Sequence, residues 1–165
     1  MTGALLKWIG TMLVVAILVF FGREYSRFMM RRLSECESFL FLLKRIKGEI
    51  GRCLSTPRAI FKDYKDDNLE RVGFLNLQRS GKSLGECFDG CADKLSLPVQ
   101  IKDRLSEFFS HFGENYKDGE ISQIEYYVGE IEPLLNEERT RLPERIKLVK
   151  TLVAAVSLGL IILIV

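Results

Sequence analysis

Cys87 and Cys91 stand four residues apart, a spacing that puts two thiols on one face of a helix, and His111 is the chain's single histidine. Thiolates and an imidazole would hold a soft metal ion, but the usual zinc spacing of about two intervening residues is absent and no second histidine completes a set. Gly81-Lys82-Ser83 has the tail of a phosphate-binding loop. The full motif needs a glycine where this chain has Asn76, and a preceding strand that the helical pattern does not supply. Asp63, Asp66, Asp67 and Glu70 cluster as general acid-base residues do, yet such runs ordinarily form solvated turns. With no nucleophile elbow either, the expectation is a protein without catalytic residues, cofactor, metal or small-molecule substrate. Cys36, Cys53, Cys87 and Cys91 then read as reduced, buried small hydrophobes.

The elements that must position these residues begin with the two ends. Ala4 to Gly22 reads ALLKWIGTMLVVAILVFFG and Thr151 to Val165 reads TLVAAVSLGLIILIV, neither with an acidic residue. A hydrocarbon layer of roughly 30 Å needs about 20 helical residues, and both runs approach that length. Lys7 snorkelling, Trp8 at the interface, and Val149 with the stem of Lys150 extend them. Phe20-Phe21-Gly22-Arg23 lacks the small residues of a cleavage site, so an uncleaved anchor is expected over a signal peptide. Arg23, Arg27, Arg31 and Arg32 follow the first run, and Arg139, Arg141, Arg145, Lys147 and Lys150 precede the second. The positive-inside rule then places the middle in the cytoplasm and both termini outward. The expected division is a transmembrane helix over 1–22, a cytoplasmic helical domain over 23–147 and a second transmembrane helix over 148–165. Lys and Arg total 24 against 22 Asp and Glu, a net charge of +2, too balanced for a general nucleic-acid binder.

Within the middle, Cys36, Phe39, Leu40, Leu43, Ile46, Ile50, Cys53 and Leu54 recur at helical spacing, and Pro57 ends the stripe. Ser55-Thr56-Pro57 signals a short helix carrying Ile60, Phe61 and Tyr64, which runs out in Lys65-Asp66-Asp67-Asn68. A further helix is predicted through Leu69, Val72, Leu75 and Leu77, closed by Ser80-Gly81. Ser83 and Glu86 form a capping-box pattern opening a helix through Cys87, Phe88, Cys91 and Leu95. Ser96-Leu97-Pro98 starts another, through Ile101, Leu105, Phe108, Phe109 and Phe112, ended by Gly113. From Glu120, the stripe of Ile121, Ile124, Val128, Ile131, Leu135, Leu142, Ile146 and Val149 returns to the second apolar run, and Pro133 and Pro143 are expected to kink it near Glu130 and near Arg139. The predicted fold class is all-α. It is an antiparallel helical bundle, a long hairpin with axes about 20° apart and short helices between, carried by the two transmembrane helices. Leu43, Ile50, Ile124 and Ile131 should face one another in its core.

Several motifs fall in a recognisable order: a short N-terminal apolar run, the exit Gly22-x-x-Tyr25-Ser26-Arg27, Glu49-Ile50, Pro57 with Phe61, Phe112-Gly113 followed by Gln123, and a final apolar run with Gly159. In that order the chain resembles the stage III sporulation protein AB family of endospore-forming bacteria. It departs from the family where Tyr116-Lys117-Asp118-Gly119 stands in place of a Leu-Gly, and where Lys147-Leu148 precedes the last run. The resemblance implies a component of the secretion-like complex joining mother cell to forespore. Its cytoplasmic domain would be similar to that of type II secretion and type IV pilus platform proteins, and its partners would be the secretion-type ATPase stage III sporulation protein AA and other membrane proteins of the complex. A membrane-anchored helical scaffold or regulator unrelated to secretion is the alternative. Candidate partner-binding residues are Asp63, Asp66 and Asp67, at a turn expected to lie far from the membrane, and Gly113 and Gln123. Candidate membrane-flanking residues are Trp8, Arg23, Arg27, Arg31, Arg32, Arg145, Lys147 and Lys150.

Overall fold

A computed structural model describes residues 2–52, 60–61 and 63–164, with side chains for 8–52, 60–61 and 63–162. All regular structure among them is helical. The helices are α1 (Thr2–Arg52), α2 (Asp67–Val72), α3 (Phe74–Arg79), α4 (Leu84–Cys91), a 3-10 turn over Ala92–Lys94, α5 (Val99–His111) and α6 (Lys117–Ile164). The expected cap at Ser55-Thr56-Pro57, together with Lys7, Cys53 and Leu54, lies outside the described side chains. The chain divides into two compact units, one of residues 1–30 and 139–165, the other of Arg31–Glu138.

The Arg31–Glu138 unit holds the core. Along it, Arg32 pairs with Glu138 at 3.5 Å, Lys44 with Glu132 at 2.9 Å, Lys47 with Glu125 at 2.7 Å, and Lys117 Nζ donates to the Gly51 carbonyl at 3.2 Å. Partners on α6 fall in number as those on α1 rise, the register of the predicted antiparallel hairpin. Leu43, Ile124 and Ile131 are fully buried, and Ile50 is half-buried at the edge. Phe39 of α1 sits at the centre, edge-on to Phe74 of α3 at 5.5 Å, Phe88 of α4 at 5.6 Å and Phe109 of α5 at 6.0 Å. Edge-to-face aromatic pairs contribute beyond their buried area, so one ring ties four helices together.

Local signals explain most boundaries. Asp66 caps α2, Ser83 and Glu86 complete both halves of the capping box of α4, and Gly113 adopts φ +96° just past α5. Three expectations are corrected. The single helix predicted over residues 69–77 is two, because Gly73 at φ +91° closes α2 and opens α3. Leu95 is extended beyond the 3-10 turn, not helical. Tyr64 follows the helical residues Ile60 and Phe61, although all three are buried as expected. The returning helix α6 starts at Lys117 and is continuous through Pro133 and Pro143. An internal proline costs a helix about 3 kcal/mol, and burial of Ile131 and Leu135 on either side of Pro133 offsets that cost.

The other unit is a pair of antiparallel helical segments with the opposite distribution of residues. A Cβ placed on Gly22 would lie 3.3 Å from Val153 Cγ2 and 4.0 Å from Val149 Cγ1, so these two stretches approach closely there. The less exposed residues of this part of α1 include the small or polar Thr11, Gly22 and Ser26 beside Val15, Leu18 and Met29. Ile9, Met12, Leu13, Phe20, Phe21, Leu152, Leu158 and Ile162 are exposed. Among the described residues, α1 is the helix long and apolar enough to cross a membrane.

Candidate partner-binding surface

The acidic turn is partly committed to structure. Asp66 Oδ1 accepts from the Asn68 and Leu69 amides, both at 3.0 Å, which makes it the cap of α2. Asp63 and Asp67 are exposed. Next to Asp63, Tyr64 is buried under the Arg45 guanidinium, 5.1 Å from the ring centroid, and burial, then the nearby Asp66 charge, push its phenol up to about 12. On the other side, Asn68 Nδ2 donates to Ser34 Oγ at 2.8 Å and Ser38 Oγ at 3.0 Å. The turn therefore lies along α1 between Arg45 and Ser34. It does not reach the C-terminal end of α1: Ser34 and Gly51, 17 positions apart in the numbering, lie about 25 Å apart along a helix axis.

The C-terminal end of α1 meets the Gly113 to Gln123 turn, through the Lys117 contact to Gly51. Glu120 organises it. Its Oε1 accepts from the Gly113 amide at 2.9 Å and the Asn115 amide at 3.0 Å, and the side chain is buried. Oε2 is also buried, with no hydrogen-bond partner among the described residues. Asn115 Nδ2 donates to Gln123 Oε1 at 3.0 Å, closing the turn from outside. Held this way, the turn projects Tyr116, 96% exposed, into solvent. An aromatic ring held out on a rigid turn is the kind of anchor that protein interfaces favour. The two candidate surfaces, acidic turn and Gly113 turn, are thus not brought together.

Two buried carboxylates escaped sequence reasoning. Besides Glu120, Glu35 is fully buried on α1, where Oε1 accepts from Arg71 of α2 at 2.9 Å and Oε2 from the Ser96 amide at 2.7 Å. It fastens three separate segments, and its only sequence signal is a charged residue on an apolar stripe. Cys36, Cys87 and Cys91 are buried, as expected of core thiols. Cys87 and Cys91 do share one helix, but Cys91 Sγ donates to the Phe88 carbonyl at 3.2 Å, inside its own helix. Burial pushes Cys36 and Cys91 up to about 12 and Cys87 to about 11, so the neutral thiols are poor nucleophiles and poor ligands.

Of the membrane-flanking candidates, Trp8, Arg23, Arg27, Lys147 and Lys150 are exposed in the two-segment unit, and Arg145 there is half-buried. Arg31 and Arg32 belong to the core-bearing unit, where Arg32 pairs with Glu138. A family model described as Stage III sporulation protein AB matches residues 7–165. Comparison with curated proteins and with solved structures gives no match. The match spans both apolar ends and every helix between them, and the chain belongs to the Stage III sporulation protein AB family, with a role in sporulation.

Proposed function

We propose that this protein is a non-enzymatic assembly component of the mother-cell to forespore complex, anchored in the mother-cell membrane by α1 and the end of α6. In this reading the Arg31–Glu138 unit lies in the cytoplasm as a platform that contacts the secretion-type ATPase stage III sporulation protein AA and membrane partners. The observation that carries it is the reversed residue distribution of the two-segment unit. Thr11, Gly22 and Ser26 face inward while Phe20, Phe21, Leu152 and Leu158 face out, an arrangement suited to lipid because helix association there depends on close packing of small residues. The core-bearing unit instead buries most of its phenylalanine rings in one cluster, as a domain surrounded by water does.

The Gly113 to Gln123 turn is the better contact surface, because Asp66 is spent on a helix cap and Tyr116 is an exposed anchor. A reporter active only in the cytoplasm should give signal when inserted at Gly81 and none at the C-terminus; the reverse would overturn the orientation. With the full chain in membranes, Tyr116→Ala combined with Gln123→Ala should weaken capture of the ATPase, whereas Asp63→Lys with Asp67→Lys should leave it unchanged. Normal capture by the first pair, with loss by the second, would move the contact to the acidic turn.

A further inference from the structure

Between the two segments of the membrane unit lies a cleft of about 600 Å³, open to the side. That volume is within the range of about 300–1,000 Å³ typical of ligand sites. Its walls are graded. Val15, Val19 and Val153 make an apolar trough, while Arg23, Arg27 and Lys150 line the other end. Val15 to Arg27 spans about 18 Å of helix at 1.5 Å per residue. Gly22 lies between the two ends and has no side chain to divide the space. Arg27 pairs with Glu24 at 2.6 Å, but neither Arg23 nor Lys150 has an ion-pair partner among the described residues. The end nearest the cytoplasmic unit along both helices therefore carries an excess of positive charge at the head of an apolar trough.

Resting on the assignment of α1 and α6 to the membrane, we infer that this cleft is a binding site for one anionic phospholipid. The phosphate is held by Arg23, Arg27 and Lys150, and an acyl chain lies along Val15, Val19 and Val153. The charge complements an anionic headgroup, the apolar wall continues in the direction of the hydrocarbon, and basic pockets between membrane helices on the cytoplasmic side are suited to such headgroups. A free phosphate would use the cations alone and leave the trough empty.

The test uses the full chain reconstituted with equal phosphatidylglycerol and phosphatidylcholine, with retained lipid read by native mass spectrometry after detergent release. The wild-type chain should keep one phosphatidylglycerol and no phosphatidylcholine. Retention should fall at least about tenfold in Arg23→Gln with Arg27→Gln and Lys150→Gln. It should also fall in Val19→Trp, which fills the trough and keeps every charge. A control that removes as much charge elsewhere, Arg31→Gln with Arg141→Gln and Lys147→Gln, should keep the lipid. Equal loss in the control would reduce the effect to general surface attraction and overturn the site, as would release by excess inorganic phosphate. Carbonate extraction separates the two readings. A chain that stays in the membrane without retaining phosphatidylglycerol refutes the cleft alone, and a chain that washes off refutes the membrane assignment together with it.

Discussion

At the scale of single residues, the buried polar groups do the most specific work. Glu35 and Glu120 each collect donors from distant or turn segments, and the three described cysteines contribute only as compact apolar volume. The thiols nevertheless make a pH prediction. Burial raises Cys36, Cys87 and Cys91 from about 9 to between about 11 and 12, so the folded chain keeps protons that the unfolded chain loses. Their contribution to stability is fully present below about pH 9 and is lost as pH rises toward the folded values. The urea midpoint of a fragment of residues 31–138 should therefore fall more steeply above pH 9 than that of its Cys36→Ala, Cys87→Ala, Cys91→Ala variant. Parallel slopes would mean that the thiols reach water.

At the scale of elements, α1 and the short helices α3, α4 and α5 meet on Phe39. Truncating Phe39 to Ala should cost about 3–5 kcal/mol, because it removes a fully buried ring and leaves a cavity facing three other helices. Ile124→Ala should cost about 2–5 kcal/mol, and Ile50→Ala distinctly less, since Ile50 is only half-buried. Chemical denaturation of the three variants checks the order. A loss at Ile50 equal to that at Ile124 would show that the Ile50 edge is covered more fully than its exposure indicates.

At the scale of the whole chain, the two units distribute their apolar residues differently. Every member of the hydrophobic core lies between Arg31 and Glu138, so that stretch has its own reason to fold. A fragment of residues 31–138 is expected to be soluble without detergent and to unfold in one cooperative transition, with the same midpoint with and without reductant. A fragment that needs detergent, or that lacks a cooperative transition, would show that the flanking segments complete the core. Among the described residues the apolar ends contribute none to that core, and most of their large side chains are exposed, which suits the membrane anchoring proposed above.

The sequence by itself determined the helical class, the two apolar stripes, the capping box at Ser83 and Glu86, the left-handed Gly113 and the family. Each of these signals is written within one or two turns of chain or in the order of short motifs, so it survives without knowledge of what touches what. Tertiary structure decided the rest. Glu35 is joined to residues 36 and 61 positions away, and nothing near it in sequence marks those partners. Gly73 had the local freedom to break a helix, but the break appears because Leu69 and Val72 before it and Phe74 and Leu75 after it are all buried in one core. Asp66 read as one of three equivalent surface charges, and folding made it a cap beside two exposed neighbours. The acidic turn settled along α1 near Ser34 and left the C-terminal end of that helix to the Glu120 turn. A turn's residues can be read from its own chemistry, whereas its position depends on the long-range hydrogen bonds that hold it.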